Sequence, residues 1–460
     1  MKTPIEYLKK RSKNNWILGY DSLEFLALTE ALFDEFTHPS PQKILLVEPN
    51  PIRFLAGLIA AYSRGHHVFL CNPTWGSSEW QQVFNLVKPD LVWGNCEYVQ
   101  QYDKMLRSPV PKSLENQPNN LMMIPTGGSS GKMRFAMHTW QTLTASVQGF
   151  QEYFQVSQVN SICVLPLYHV SGLMQFMRSF ISEGQLLILP FSELKLGKLC
   201  DFEPNEFFIS LVPTQLQFLL SKPILTNWLS QCQTVLLGGA PAWTELLQKA
   251  RFHHIKLAPS YGMTETASQI VTLKPENFLS GNNSSGQVLP HAKVKICSAD
   301  GQILSSPQIG KISLESSSLS LGYYPQLFPD AKNFYPDDMG FLDQAGYLNI
   351  VGRDSDKIIT GGENVFPGEV ESVIRATNLV IDVAVIGVKD SYWGQIVTAI
   401  YIPVNFHISS QQIQEAIIDK ITRYKLPKLW IPIKKMPRNE QGKLNRQQLQ
   451  TLVIQYQTTN

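Results

Sequence analysis

The sequence predicts an α/β protein with doubly wound parallel sheets, a β-rich part and a small C-terminal α+β domain. Apolar strand-like runs alternate with amphipathic stretches up to about residue 249, which is typical of parallel sheets covered by helices. After Gly286 short strands are separated by Gly, Pro, Asp and Ser, and beyond Arg353 the pattern changes again. We therefore expect an N-terminal domain over residues 1–352, with its β-rich part at about 286–352, and a C-terminal domain over 353–460.

The predicted elements follow the hydrophobic periodicity. The predicted strands cover residues 44–47, 67–70, 91–93, 135–138, 162–166, 185–189, 234–237, 255–258, 294–297, 310–315, 347–351, 382–388 and 398–403. The predicted helices cover residues 52–63, 79–87, 140–154, 172–182, 213–220, 243–249, 367–376 and 409–421.

Composition excludes several classes of protein. With 460 residues, 43% of them hydrophobic, the chain can bury more than one core. A formal net charge of +2 argues against a nucleic-acid surface or a polybasic membrane contact. The six cysteines form no C-x-x-C pair, which disfavours a zinc site or a disulfide framework.

The termini and apolar runs predict a soluble, cytoplasmic protein. The N-terminal segment lacks the apolar core of a signal peptide, and no apolar run reaches the ~18 residues that cross a bilayer. We therefore expect no membrane span. The sequence leaves the oligomeric state open, with a homodimer as one candidate.

A glycine-rich loop follows the apolar run at residues 121–124. Glycines let successive backbone N–H groups turn into one concavity that holds a phosphate. The Walker pattern is absent, because Met133 follows the lysine, and the alternative is a flexible surface turn. The candidate phosphate-binding residues are Thr126, Gly127, Gly128, Ser129, Ser130, Gly131 and Lys132.

A second polar segment, with Ser260, Tyr261, Gly262, Thr264 and Glu265, follows the strand predicted at 255–258. A tyrosine ring can stack on a base, and threonine and glutamate oxygens suit Mg²⁺. The alternative is a helix start with Thr264 as its N-cap.

Small residues also end the strand predicted at 234–237. A planar base could lie against Gly239, Ala240 and Pro241, although such a run is often only a strand-to-helix turn. Asp338 and Arg353 bracket the last strand predicted in the β-rich part. A carboxylate that accepts from both hydroxyls of a ribose, beside a guanidinium, would suit a nucleotide, and the alternative is a surface ion pair.

The C-terminal domain carries two further candidate segments. A glycine turn with Gly361, Gly362, Glu363 and Asn364 leads into the helix predicted at 367–376. Lys443 follows a tight Gln-Gly turn, where an isolated lysine is usually solvated.

In this order, these segments resemble the adenylate-forming superfamily of acyl-CoA synthetases over essentially the whole chain. The family's phosphate loop, T-S-G-T-T-G-K-P-K-G, corresponds to TGGSSGKMRF, and its Y-G-x-T-E to YGMTE. Of the family's T-G-D motif, this chain retains only the final aspartate, Asp338. The family's G-R, G-G-E-N and final G-K motifs are all present in this chain. The chain departs from the family at Met133, Arg134, Phe135 and Asn439, where Pro, Lys, Gly and Thr are usual.

The resemblance implies a two-step reaction with ATP, Mg²⁺ and coenzyme A. A small-molecule carboxylic acid attacks the α-phosphorus of ATP, and the thiol of coenzyme A then displaces AMP from the acyl-adenylate. Lys443 would bridge the α-phosphate and the acid, while Thr264 and Glu265 would hold Mg²⁺. The C-terminal domain would rotate as a lid about Ser355 between the steps and present the Gly361–Gly362 turn to the thiol.

The identity of the acid depends on the segment LPLYHVSGL, which resembles the family's LPLFH-x-x-GL. His169, Ser171 and Arg178 are the candidate pocket residues, and the alternative is a packed strand-to-helix junction with Arg178 at the surface. The resemblance is strongest to members that activate 2-succinylbenzoate for menaquinone and phylloquinone synthesis. An arginine is the natural bidentate partner for the second carboxylate of that acid.

Three other functions remain open at the level of the sequence. They are a fatty-acid or aryl-acid CoA ligase of the same superfamily, an amino-acid adenylating protein, and a non-catalytic nucleotide-binding homologue. The altered phosphate loop is the only feature that favours the last.

Overall fold

The structure is a computed structural model, and it describes residues 3–95, 120–127, 133–199, 203–330, 332–438 and 444–459. The predicted α/β class is confirmed: a large N-terminal domain carries two seven-stranded sheets and a four-stranded sheet, and a five-stranded sheet lies in the smaller C-terminal domain.

The first sheet has the strand order β16-β15-β5-β4-β2-β1-β3. Strands β4, β2, β1 and β3 are parallel neighbours, while β4–β5, β5–β15 and β15–β16 are antiparallel. The strands are β1 (Lys43–Leu46), β2 (His67–Leu70), β3 (Leu91–Trp93), β4 (Met122–Gly127), β5 (Met133–His138), β15 (Gly322–Tyr323) and β16 (Gln326–Leu327).

The second sheet has the order β12-β11-β10-β9-β8-β6-β7. It is parallel from β7 to β10, and β11 and β12 add an antiparallel edge. The strands are β6 (Asn160–Cys163), β7 (Leu186–Ile188), β8 (Phe207–Leu211), β9 (Thr234–Leu237), β10 (Leu257–Met263), β11 (Ser268–Thr272) and β12 (Gln287–Val288).

The other two sheets are the β-rich part and the C-terminal domain. The third sheet is antiparallel and contains β13 (Ala292–Cys297), β14 (Gly310–Ser316), β17 (Asp338–Leu342) and β18 (Leu348–Arg353). The fourth contains β19 (Ile358–Thr360), β20 (Glu363–Val365), β21 (Val380–Asp390), β22 (Gly394–Pro403) and β23 (Leu429–Pro432).

The helices begin at local signals that can be read in the sequence. Asp21 and Asn50 accept hydrogen bonds from the first-turn N–H groups of the second and third helices, and Thr139 caps the fifth. The α-helices of the described residues are α1 (Pro4–Arg11), α2 (Ser22–Glu35), α3 (Pro51–Ser63), α4 (Ser77–Val87), α5 (Trp140–Phe154), α6 (Val170–Ile181), α7 (Phe191–Lys195), α8 (Pro213–Leu219), α9 (Pro223–Gln231), α10 (Thr244–Phe252), α11 (Pro275–Leu279), α12 (Pro367–Arg375), α13 (Ser410–Ile417) and α14 (Arg446–Thr459).

The largest core lies between the first and second sheets. Helices α1, α2, α3, α5 and α6 each bury apolar residues there, including Leu8, Phe25, Phe54, Trp140 and Phe176. Separate cores cover the opposite faces of the two sheets, and the C-terminal sheet has one core on each face. Because the sheets share helices, the carboxyl ends of their strands are held in a fixed arrangement, which positions the loops of the candidate site.

Near the candidate site, two regions differ from the sequence prediction. Strand β10 does not end at residue 258 but runs to Met263, because Ser260–Met263 pair with the unpredicted antiparallel strand β11. Asp338 and Arg353 do not bracket one strand. They begin β17 and end β18, and they face each other as cross-strand partners.

Candidate active site

The turn that follows β10 is held by hydrogen bonds to four consecutive carbonyl groups, those of residues 264–267. We call these four residues the anchored turn. It consists of a 3₁₀ helix, Thr264–Thr266, followed by Ala267 in a left-handed conformation with φ +50°. The donors, in the order of the carbonyls, are His138 Nε2 at 2.8 Å, the Ser320 backbone N–H at 2.7 Å, the Ser318 hydroxyl at 2.9 Å and the Ser146 hydroxyl at 2.7 Å.

His138 is one of the residues that sequence reasoning missed. Its ring is fully buried, and burial lowers its pKa to about 4, so the ring is neutral at pH 7. A carbonyl only accepts, so Nε2 carries the proton and donates to Thr264, while Nδ1 lies 3.0 Å from the Thr142 hydroxyl. A lone histidine at the end of an apolar run gives no signal of this role in the sequence.

Glu265 presents a buried carboxylate, with the residue only 8% exposed. Its Oε1 accepts from the Tyr323 hydroxyl at 2.5 Å, and burial followed by the charge of Glu265 raises the pKa of that phenol. The Arg134 guanidinium lies over the Tyr323 ring, 5.3 Å from its centroid. Among the residues that the structure describes, no basic nitrogen lies within 4.0 Å of the Glu265 carboxylate.

The Glu265 carboxylate is suited to a divalent cation. A hard carboxylate oxygen is what Mg²⁺ prefers, and Mg²⁺ usually takes one or two carboxylates together with substrate phosphates. The described residues contain no group of three metal-binding side chains. The remaining ligands of such an ion would therefore be phosphate oxygens and water.

Tyr261, Asp338 and Arg353 come together as the sequence predicts. The Tyr261 hydroxyl donates to Asp338 Oδ2 at 2.8 Å, and Asp338 Oδ1 lies 3.5 Å from Arg353 Nε. Burial, reinforced by the charge of Asp338, raises the pKa of Tyr261, so the phenol keeps its proton. The ring and the carboxylate thus lie beside each other, as a base and its ribose would require.

Five other predicted residues lie at the carboxyl edge of the second sheet. Ser260 donates to the carbonyl of Leu237 at 3.1 Å, which links β10 to the end of β9. Gly262 permits the close approach of β11, because a Cβ there would lie 2.1 Å from the Ser268 carbonyl oxygen. Gly239 follows β9 with φ +83°, and Ala240 and Pro241 continue the same connection.

The phosphate-loop prediction falls largely outside the described residues. Thr126 and Gly127 end β4 and pair with Arg134 and Met133 of β5. Gly128, Ser129, Ser130, Gly131 and Lys132 lie outside the described residues. The strands that flank them both contact the 3₁₀ part of the anchored turn.

The predicted acid pocket contains a buried arginine. Arg178 lies on α6 and is 2% exposed, so the surface alternative is wrong. Its Nη2 donates to the Ser268 hydroxyl at 2.9 Å and to Gln269 Oε1 at 2.7 Å, and its guanidinium lies 4.4 Å from the Phe150 ring centroid. Burial lowers its pKa to about 9, which leaves it cationic at pH 7. Within the described part of the chain, no carboxylate lies within 4.0 Å of it.

The two other pocket candidates begin the same helix. His169 is the N-cap residue of α6, and its ring packs edge-on against Tyr168. Ser171 lies in the first turn, where its carbonyl accepts from Gln175 at 3.1 Å. Ser268 and Gln269 were not predicted, although they lie only three and four residues after the Y-G-x-T-E motif, because they carry no charge.

In the C-terminal domain, Gly361 and Gly362 have φ +58° and +86°. They form the exposed turn between β19 and β20, which carries Glu363 and Asn364. This turn lies in the fourth sheet, apart from the carboxyl edge of the second sheet.

Lys443 lies outside the described residues, but the chain on both sides of it is anchored. Arg438 pairs with Leu444 in an isolated bridge, and Arg438 makes charge-assisted hydrogen bonds to Asp382, the shortest 2.8 Å. Arg446 forms an ion pair with Asp356 at 3.0 Å. Ser355 donates through its backbone N–H and its hydroxyl to the Asp337 carboxylate.

Two family models match the chain: an AMP-binding enzyme over residues 37–324 and an AMP-binding enzyme C-terminal domain over residues 369–443. The chain therefore belongs to the AMP-binding enzyme family.

Curated relatives carry a more specific name. The chain is 32% identical to the 2-succinylbenzoate–CoA ligase of Enterococcus faecalis over 345 residues, 73% of this chain and 71% of that protein. It is 35% identical to the enzyme of the same name from Listeria innocua over 331 residues, 70% of this chain and 68% of that protein.

Solved structures share the fold. O-succinylbenzoate CoA synthetase from Bacillus subtilis, in complex with its acyl-adenylate intermediate, superposes with a TM-score of 0.83 at 24% identity, covering 96% of this chain and 97% of that chain. ATP-bound MatB from Rhodopseudomonas palustris gives 0.81 at 20% identity, covering 97% and 98%. In the described part of the chain, no helix has the length and apolar character needed to cross a membrane.

The anchored turn generates a prediction about pH. As the pH falls below 6.5, the unfolded chain binds a proton at His138 that the folded protein binds only near pH 4. Stability is therefore lost as the pH falls through this window, by at most about 3 kcal/mol. In His138→Gln, which keeps an amide donor for Thr264, we expect urea unfolding to depend less steeply on pH between 6.5 and 4.

The control is His407→Gln, which removes an exposed imidazole from the other domain. Identical pH slopes for the wild type and His138→Gln would mean that the pKa of His138 is not lowered in the folded protein.

Proposed function

We propose that this chain is an ATP-dependent acid–CoA ligase that converts 2-succinylbenzoate to 2-succinylbenzoyl-CoA through an acyl-adenylate. The observation that carries the proposal is Arg178, a buried cation without a carboxylate partner in the described part of the chain, in a protein whose curated relatives bear this name. A fatty acid has no second carboxylate to pair with a buried positive charge in its pocket, whereas a diacid supplies this anion.

The first step joins the acid to AMP. The succinyl carboxylate attacks the α-phosphorus of ATP, an oxygen–phosphorus bond forms, and pyrophosphate leaves. We assign residues 126–132 to the phosphates and Lys443 to the bridge between the α-phosphate and the acid. Negative charge develops on the phosphoryl oxygens, so donors and a cation fixed in advance lower the barrier.

The nucleotide is held by the groups around β10. We assign Tyr261, Gly239, Ala240 and Pro241 to the base, and the Asp338–Arg353 pair to the ribose. Thr264 and Glu265 would hold Mg²⁺, with Ser260 and Gly262 shaping the strand before them. When bound, Mg²⁺ neutralises charge on the triphosphate.

The second step transfers the acyl group to coenzyme A. The thiol sulfur attacks the acyl carbonyl carbon, a thioester bond forms, and AMP leaves with the oxygen that joined it to the acyl group. We propose that the C-terminal domain, starting at residue 353, rotates about Ser355 and brings Gly361, Gly362, Glu363 and Asn364 to the thiol. A reaction that consumes ATP and coenzyme A also favours a cytoplasmic location.

The function is tested by a panel of acids supplied with ATP, Mg²⁺ and coenzyme A, with the thioester measured by mass spectrometry. We expect 2-succinylbenzoate to exceed benzoate and octanoate by at least about 10²-fold in kcat/KM, because a site built to bind a polar group rejects acids that lack it. Preference for octanoate or benzoate would favour the general CoA ligase. Thioester from no acid would favour the non-catalytic homologue.

Lys443→Ala separates the two steps. We expect the rate of adenylate formation, measured as release of pyrophosphate, to fall by about 10²–10³-fold, because the lost cation faces developing charge. Thioester formation from supplied acyl-adenylate should change little, since the rotated domain no longer presents Lys443. Lys435→Ala, an exposed lysine of the same domain, is the matched control. Equal losses in both half-reactions would exclude the assignment.

Arg178→Met tests the acid pocket. Methionine removes the charge and donors but keeps a long side chain, and it also removes the cost of burying an unpaired charge. We expect the KM for 2-succinylbenzoate to rise roughly 10²-fold, because a buried carboxylate loses its partner. The KM for ATP should barely change, and the thermal midpoint should not fall. Arg53→Met is the control. An unchanged KM for the acid in Arg178→Met would mean that Arg178 does not bind the acid.

A further inference from the structure

The surroundings of Arg178 are polar but uncharged. The guanidinium donates to the Ser268 hydroxyl at 2.9 Å and to the Gln269 amide oxygen at 2.7 Å. Its Nε is buried without an acceptor. Neutral acceptors satisfy part of a guanidinium without cancelling its charge, so the pocket keeps a full positive charge available for a ligand.

The orientation of the Gln269 amide follows from this contact. A guanidinium only donates, so the group that faces Arg178 is the amide oxygen, which also accepts from the Ser268 hydroxyl at 3.0 Å. The amide nitrogen is therefore turned away from both. It has no hydrogen-bond partner, although the residue is only 6% exposed. Buried amide donors normally have acceptors, so this group is available to a ligand that offers one.

The backbone that carries these side chains has an unusual conformation. Ser268 has φ +99°, a left-handed conformation that is strained for a residue with a Cβ, and it follows Ala267 at φ +50°. Its carbonyl accepts from the Thr266 hydroxyl at 2.6 Å. The anchored turn thus fixes the direction in which Ser268 and Gln269 leave the nucleotide motif and enter the acid pocket.

We propose that Gln269, supported by Ser268, is a positioning and specificity-determining residue for the second carboxylate of the substrate. It orients the Arg178 guanidinium without neutralising it, and its own amide nitrogen donates to the same carboxylate. This inference depends on the proposed function, and it adds a reason why the residue is an amide. A glutamate of the same shape would pair with Arg178 and leave no charge for an acid.

Gln269→Glu tests this directly. The new carboxylate forms an internal ion pair with Arg178, so we expect the thermal midpoint to stay the same or to rise. The KM for 2-succinylbenzoate should rise on the order of 10²-fold, because the substrate meets a neutralised site with a like charge. The KM for 4-oxo-4-phenylbutanoate, which lacks the ring carboxylate, and the KM for ATP should change less than about threefold.

Two variants complete the experiment. Gln269→Met removes the amide without adding charge, so it should raise the KM for the diacid about tenfold. This variant provides the test if Gln269→Glu misfolds. Gln231→Glu, at the exposed end of α9, is the matched control for the chemical change.

The outcomes separate this inference from the proposed function. Suppose that the wild type forms the thioester from 2-succinylbenzoate. If Gln269→Glu then has an unchanged KM for this acid, or if its KM rises equally for 2-succinylbenzoate and 4-oxo-4-phenylbutanoate, Gln269 does not set specificity and the proposed function stands. If the wild type forms no thioester from the diacid, the proposed function fails, and this inference fails with it.

Discussion

The candidate site depends on the four anchored carbonyl groups of residues 264–267. They hold a turn in which Ala267 and Ser268 take left-handed conformations, each of which costs on the order of 1–3 kcal/mol. The donors come from three separate parts of the chain, so the turn is fixed only when both large sheets and the β-rich part are in place. Glu265 and Gln269 leave this one rigid segment in different directions. In the proposed reaction, that rigidity keeps the nucleotide and the acid at a fixed separation, which an in-line attack requires.

Buried charges are treated in two ways in this protein. In the C-terminal domain, Asp382 lies 2.8 Å from nitrogens of both Arg375 and Arg438, so its charge is compensated within the fold. Glu265 and Arg178, in the N-terminal domain, have only neutral hydrogen-bond partners in the described part of the chain. An uncompensated buried charge costs several kcal/mol, and a ligand of opposite charge relieves that cost on binding. In the proposed reaction, Glu265 would bind a cation and Arg178 an anion.

The sequence predicted the fold more fully than the contacts of the site. The elements at 67–70, 140–154 and 234–237 have the predicted bounds, because apolar runs end there at caps and turns. The strand β11 was missed because its first two residues, Ser268 and Gln269, are both polar and interrupt the alternation of apolar and polar residues. The burial of Arg178 could not be read locally, since its partners are 90 and 91 residues away. The residues proposed to bind the nucleotide could be singled out because they carry charges or rings or belong to glycine-rich motifs, whereas His138 supports the candidate site through a backbone carbonyl.

The connections around Ser355 constrain how the lid could move. Asp356 follows Ser355 directly and forms an ion pair with Arg446, which lies three residues after Lys443 in the sequence. Arg438, which precedes Lys443 in the sequence, is bonded to Asp382 in β21, a strand of the sheet that also contains β19 and β20. The described residues on both sides of Lys443 and the Gly361–Gly362 turn are therefore attached to one sheet. In the proposed reaction, Lys443 and this turn would move together when the domain rotates about Ser355. Presenting one of them would then withdraw the other, so adenylate formation and thioester formation would exclude each other at any moment.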